Sequence, residues 1–141
     1  MRLLDISPFK NAINSFSNML KLAKIIEEQN EEDRLFYSYE GARAGVIQHF
    51  EFCYESSHKF IARWLEVCNG DNVDGLNKKQ LFRLAQEKEL IYDFEMWLSF
   101  MAARNKTSHT YDESTAEEIY EISKKAFAYF KDLLLSLEEK I

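Results

Sequence analysis

The sequence predicts an all-α protein, an up-and-down bundle of four main helices with one extra short helix. Two observations carry this. Glycine (4) and proline (1) supply only 5 of the 141 residues, against roughly 17 at average usage. Apolar residues also recur at three- and four-residue steps along most of the chain, the period of one helix face. A sandwich or barrel needs a turn about every ten residues. A doubly wound α/β fold needs a glycine-rich strand-to-helix loop. Neither can be built from so few turn formers. With 46% hydrophobic and 30% charged residues, the chain can fill a core and solvate a surface. Its length suits a single domain over 1–141.

The first helix is expected over 8–29. Ser7 is placed to cap it, and Pro8 fits the first turn, where a missing N–H costs nothing. Phe9, Ile13, Phe16, Leu20, Ala23 and Ile26 give it one apolar face. The acidic run 27–33 reads as a turn. A long second helix is expected over 34–68, with one stripe of Leu35, Tyr39, Ala42, Val46, Phe50, Cys53, Ser57, Phe60, Trp64 and Val67. A second stripe of Ile47, Tyr54, Ile61 and Leu65 makes it apolar on two faces. Such a helix is central in a bundle or buried at a subunit seam. Gly41 and Gly45, four apart, suit a close helix approach or a bend. Residues 69–77 form the clear loop, and Asn77 caps a third helix over 78–89. A fourth, over 93–105, starts at Asp93 and buries Phe94, Trp97, Leu98 and Met101. The last helix spans 115–139, opened by a capping box of Ser114 and Glu117. Ile119, Ile122, Ala126, Phe130, Leu133 and Leu137 form its buried stripe.

Charge narrows the function classes. Eighteen basic against 24 acidic residues leave a net charge of −6, a field that repels nucleic acid and anionic membranes. Contact with RNA or a nucleotide therefore needs a local basic cluster or a partner. No stretch has the 18 apolar residues of a membrane span, and the N-terminal residues lack the pattern of a signal peptide. Cys53 and Cys68 lie 15 residues apart on one expected helix, roughly 22 Å along its axis. A disulfide needs Cα atoms within about 7 Å. Reduced thiols and a cytoplasmic location are expected.

Metal chemistry is poorly served. The loop 70–75 mimics a calcium loop, but Gly70 and Leu81 stand where its first and twelfth carboxylates are needed. His49 with Cys53, and Glu55 with His58, are isolated pairs, where a zinc or di-iron site needs more converging ligands. We expect no metal and no cofactor. Glu51, Glu55 and Lys59 follow at four-residue steps. Glu51 reads as part of a solvated salt-bridge ladder, whereas Glu55 and Lys59, flanked by aromatics, suit a groove wall equally well.

The segment with chemistry runs from Arg104 to Tyr111, Arg-Asn-Lys-Thr-Ser-His-Thr-Tyr. It gathers Arg104, Lys106 and His109 at a helix end and in a connection, where functional groups tend to sit on a scaffold. Arginine offers a fixed fork of donors matching a phosphate, and histidine titrates near neutrality. Together they suit metal-independent attack of a ribose 2′-OH on the adjacent phosphorus. His109 would be the proton-transfer group and Arg104 would stabilise the developing charge. The reaction needs both a base and an acid, and one histidine per chain at this segment points to two copies meeting across a two-fold axis. The Tyr111 phenol would orient substrate or act as a nucleophile toward an activated phosphate. The bland alternative is a helix end with ordinary turn residues, Arg104 merely compensating the dipole.

Two stretches resemble a known family. Gly45-Val-Ile-Gln-His-Phe-Glu-Phe-Cys-Tyr-Glu-Ser-Ser-His-Lys59 is similar to the aromatic-rich second helix of the nucleotidyltransferase substrate-binding proteins, a branch of the HEPN superfamily of helical bundles. Leu90-Ile-Tyr-Asp, Trp97 and Arg104-Asn-Lys-Thr-Ser-His-Thr-Tyr-Asp112 resemble the HEPN Arg-Asn-x3-His motif in its extended form ending His-x-Tyr. The Arg-x4-His core is weakly specific; its combination with the second-helix motif is strong. The resemblance implies a homodimer that binds a minimal nucleotidyltransferase encoded nearby. It also implies a groove for nucleotide or RNA. Related pairs behave as toxin and antitoxin, the HEPN chain being a ribonuclease silenced by adenylylation of its tyrosine. Carried over, Arg104 and His109 are the catalytic pair and Asn105 a helper. Tyr111 would be the modified residue, and Asn105, Lys106, Glu55 and Lys59 are expected to bind nucleotide or substrate. An intact motif serves a ribonuclease or a non-catalytic substrate-binding subunit alike. The alternative outside this family is a non-catalytic homodimeric interaction module.

Overall fold

The structure, a computed structural model, describes residues 4–29, 36–107 and 112–141. Five α-helices follow one another without a strand among the described residues: α1 (Ser7–Glu27), α2 (Phe36–Arg63), α3 (Lys78–Glu87), α4 (Phe94–Lys106) and α5 (Glu113–Lys140). α1, α2, α4 and α5 are the main helices of an up-and-down bundle and α3 is the short one. The expected limits hold to within about two residues. No helix of the described residues is long and apolar enough to cross a membrane.

α2 is the hub, packing against each of the other four helices. Its two apolar stripes explain this. Val46, Phe50, Cys53 and Phe60 of the first stripe are buried, and so are Ile47, Tyr54, Ile61 and Leu65 of the second. Both faces are thus covered within one chain, and the second stripe needs no subunit seam to hide it. Phe50 stacks on Phe130 of α5, ring centroids 6.1 Å apart, while Tyr54 meets Phe82 of α3 edge-on at 6.1 Å. Burial of the Cys53 thiol among these rings pushes its pKa up to about 12, as expected of an inert core thiol. Phe100, Trp97 and Phe130 complete the aromatic centre.

α2 ends in a π-helical turn, Trp64–Cys68, closed by the Asn69 N–H on the Trp64 carbonyl at 3.1 Å. The wider turn changes the phase of the stripe, so Val67, expected in it, is half exposed. The loop then turns through Gly70 and Gly75, both at positive φ, where a side chain would be strained.

Several local expectations are corrected. Ser7 does not cap α1. Ile6 holds the cap position and the Asp5 carboxylate accepts the Ser7 N–H at 3.0 Å. α5 is capped by Asp112, whose side chain accepts from the Thr115 N–H at 2.8 Å, so Ser114 and Glu117 form no capping box. Glu117 is turned instead toward α2. In α4 the buried residues are Trp97, Phe100 and Ala103; Phe94 and Met101 are only partly buried. Glu27 lies in the last turn of α1 and accepts from Tyr120 and Lys124 of α5. Asn77 does cap α3, with Gln80 closing the box, and Asp93, in the left-handed region at φ 59°, caps α4. Gly45 faces Met19 of α1, whose Sδ lies 2.8 Å from where a Cβ would stand, whereas nothing lies within 4 Å of one at Gly41. The close approach is therefore α2 on α1 of the same chain, at one glycine.

Candidate functional site: the groove around Arg104

α4 delivers Arg104 in its last turn, and the reason is local. The Thr107 hydroxyl donates to the Arg104 carbonyl at 2.7 Å and accepts from the guanidinium at 2.8 Å. The helix end and the side chain it carries are fixed by one residue. The guanidinium then reaches α2. Its Nε donates to Glu55 Oε1 at 3.2 Å, and its terminal nitrogen lies 3.5 Å from Glu51 Oε2. Arg104, Glu51 and Glu55 are 27%, 30% and 44% exposed at the side chain, sheltered but open to a ligand. They share an open groove of about 480 Å³ with Gln48, Phe52 and Lys59. Lys59 is exposed and makes no ion pair among the described residues.

The expected ladder of Glu51, Glu55 and Lys59 does not form. Both carboxylates turn toward Arg104 because a guanidinium offers each a directed donor, which the flexible ammonium one turn on does not. Glu55 divides its oxygens. One accepts from Arg104, and the other lies 3.0 Å from His58 Nε2, while Lys78 of α3 stands 4.0 Å away. Burial alone would raise the Glu55 pKa. The bond to His58, with Lys78 and Arg104, outweighs it and holds the carboxyl below its ordinary value. The His58 imidazole is thus linked to Arg104 through Glu55 within one chain. The Glu-x-x-His spacing is the signal in the sequence, and the pair serves Arg104 rather than a metal. Among the described residues no group of three or more His, Cys, Asp or Glu is placed to hold a metal ion.

The other candidates divide. Lys106 faces α5, 3.3 Å from Glu118, and lines a separate shallow hollow. Asn105 is exposed at the helix end. His109 and Tyr111 lie outside the described residues. The described residues on either side of them are both anchored: Thr107 as above, and Asp112 as the cap of α5. The first turn of α5 is held further by Arg43 of α2, buried at 7% exposure. Its guanidinium donates to Glu113 at 2.6 and 3.0 Å and to Glu117 at 2.7 Å, and it lies over the Tyr39 ring, whose hydroxyl also donates to Glu117. Nothing in the spacing of the sequence announces this clamp, which joins residues 70 and more positions apart.

Three comparisons place the chain as a whole among known proteins. Residues 4–139 match the family model described as "Nucleotidyltransferase substrate binding protein like". A curated relative from Haemophilus influenzae, named "Probable ribonuclease HepT", is 40% identical over 79 residues, which are 55% of this chain and 54% of that protein. The match thus spans about half the length of the relative. A solved structure from Haemophilus influenzae, described as revealing "the fold of a substrate binding domain of a nucleotidyltransferase", superposes with a TM-score of 0.80. It is 27% identical, with 95% of this chain and 99% of that one covered. Since the family model takes in nearly the whole chain, and a solved relative shares its helices end to end, the chain belongs to the nucleotidyltransferase substrate-binding protein-like family.

Proposed function

We propose that this chain is the HEPN-type, substrate-binding partner of a minimal nucleotidyltransferase, in a pair of toxin–antitoxin type. It works as a homodimer that takes nucleotide or RNA at the Arg104 groove and cleaves RNA without a metal. The observation that supports this best is the guanidinium of Arg104, held across an open groove by Glu51 and Glu55 with Lys59 on its wall. It stands in the last turn before the segment that carries His109 and Tyr111. Arg104 would grip the phosphate, Lys59 would add a second cation, and Glu55 would accept from a sugar hydroxyl. Asn105, exposed at the helix end, would extend the contact, whereas Lys106 is turned to Glu118 on the α5 side and would reach the ligand only by leaving that pair.

In the cleavage step the ribose 2′-oxygen attacks the adjacent phosphorus and gives its proton to His109. The P–O5′ bond breaks, and the departing oxygen takes a proton from the second copy's histidine. The products are a 2′,3′-cyclic phosphate and a free 5′-hydroxyl. In the silencing step the Tyr111 phenol oxygen attacks the α-phosphorus of ATP on the partner enzyme, loses its proton and releases pyrophosphate. Two unpaired thiols, Cys53 and Cys68, suit the cytoplasm.

The test is expression of the chain alone and with its neighbouring nucleotidyltransferase. Growth arrest with RNA cleavage, relieved by His109→Ala, is the expected result. Co-expression should add one or more AMP masses, lost in Tyr111→Phe. A harmless chain that cleaves no RNA would leave the substrate-binding role and sink the ribonuclease.

A further inference from the structure

We propose that the Arg104 groove continues over Phe52 into a nucleobase subsite between α1 and α2. One nucleotide unit would place its phosphate by Arg104 and Lys59 and its base on Phe52. The inference rests on the reading that the groove takes a nucleotide, and it names how the base is held.

Phe52 is the most exposed large apolar side chain among the described residues, at 66%. An exposed phenylalanine alone needs no explanation. This one, with Gln48 a turn before it, is shared by two grooves. On one side is the charged groove of Arg104, Glu51, Glu55 and Lys59, about 480 Å³. On the other is a groove of about 510 Å³ lined by Pro8, Asn11 and Ala12 of α1 and by Gln48, His49 and Phe52 of α2. Each volume lies in the range of small-molecule sites, about 300–1,000 Å³. From His49 to Lys59 the two together run about 15 Å along α2.

The chemistry changes sharply across Phe52. No Lys, Arg, Asp or Glu lines the second groove. It offers apolar surface from Pro8, Ala12 and the Phe52 ring, with the amides of Asn11 and Gln48 and the His49 imidazole around it. His49 has a defined orientation: its Nδ1 donates to the Gly45 carbonyl at 2.7 Å, which turns Nε2 away from that contact. A base has two apolar faces, a polar edge and no charge, and a phosphate has the opposite character. Placed side by side, the two grooves present the complement of a nucleotide, with an aromatic platform of the kind that stacks bases irrespective of sequence.

Calorimetry on the full chain tests this with AMP, ribose 5-phosphate and a non-cleavable 2′-O-methyl trinucleotide. AMP should bind at least about fivefold more tightly than ribose 5-phosphate. Phe52→Ala should abolish that preference and leave ribose 5-phosphate binding unchanged, while Phe52→Trp keeps the preference. A Phe52-dependent gain with the trinucleotide assigns the subsite to an RNA chain, and a gain with AMP alone to a free nucleotide; both support it. If ribose 5-phosphate binds and AMP binds no better, or if Phe52→Ala weakens both alike, the subsite is overturned and the phosphate groove stands. If neither binds, the nucleotide reading of the groove falls and this inference with it. If Phe52→Ala dissociates a dimer and leaves the base preference intact, Phe52 belongs to a seam between copies and the subsite is overturned.

Discussion

Replacing Glu55 by glutamine keeps the shape of the side chain and removes only its charge. In the native groove that charge faces Arg104 at 3.2 Å, His58 at 3.0 Å and Lys78 at 4.0 Å. Two full charges about 4 Å apart at an effective dielectric near 20 would interact by about 4 kcal/mol. Glu55 is nearly half exposed, so solvent screens most of this, and exposed pairs usually contribute about 0.2–1 kcal/mol each. Summed over the three neighbours, Glu55→Gln should cost about 1–2 kcal/mol at pH 7. The sign with pH follows from the depressed Glu55 pKa. Its stabilisation is complete above the ordinary value of 4.5 and is lost as pH falls through the lower folded value. Urea unfolding of both proteins at pH 7 and at pH 3 measures the gap. It should be smaller at pH 3 than at pH 7, because protonation of the Glu55 carboxyl removes the charge that glutamine lacks. A gap that stays constant or widens would refute the argument that charge, rather than shape, is what Glu55 contributes.

Other outcomes follow from the packing. Gly41→Ala should stabilise by about 0.5–1 kcal/mol, since helix propensity improves and nothing lies in the way. Gly45→Ala gains the same propensity but must displace the Met19 sulfur, so its melting temperature should stay near wild type. Arg43→Met removes three charge-assisted hydrogen bonds from a buried position and should cost about 2 kcal/mol. Faster amide exchange at 113–117 is the signature to look for, and unchanged protection there would show that α5 starts without the clamp. Phe130→Ala empties the place where Phe16, Phe50, Trp97 and Phe100 converge. A loss of about 3–5 kcal/mol is expected on chemical denaturation, and a loss below about 1 kcal/mol would contradict that convergence.

Periodicity made the helices legible, because burying a face is a property of spacing. Phe50, Phe130 and Ile61 could be placed before any fold was in hand. Caps were less so. Asp5, Ser7, Asp112 and Ser114 are all competent acceptors within two or three residues of a helix start, and which one wins depends on where the chain enters. Asn77 and Asp93 have no such rival, and each caps its helix. The groove was legible in part. Arg104 pairs with Glu55 and Lys59 lines the same groove without pairing, yet Glu51 reads as solvated from the sequence because its partner is 53 residues away, beyond any local rule. His58 was visible as a spacing, but its role depends on which of two carboxylate oxygens Arg104 leaves free. His109 and Tyr111 stand as the motif places them in the sequence, outside the described residues.

The two glutamates on Arg104 have a kinetic consequence. Arg104 and Lys59 are offset, charge for charge, by Glu51 and Glu55, so a distant anion sees no positive funnel and approaches a molecule of net charge −6. Electrostatic steering, which speeds association at low salt, works here in reverse. The on-rate for a single phosphate ligand should be modest and should rise as salt screens the repulsion. The affinity should carry a shallow salt slope, where a protein touching many phosphates shows a steep one. A phosphate bound as proposed would be recognised only at contact range, after the carboxylates yield the fork, so long-range capture of a polyanion would have to come from a partner.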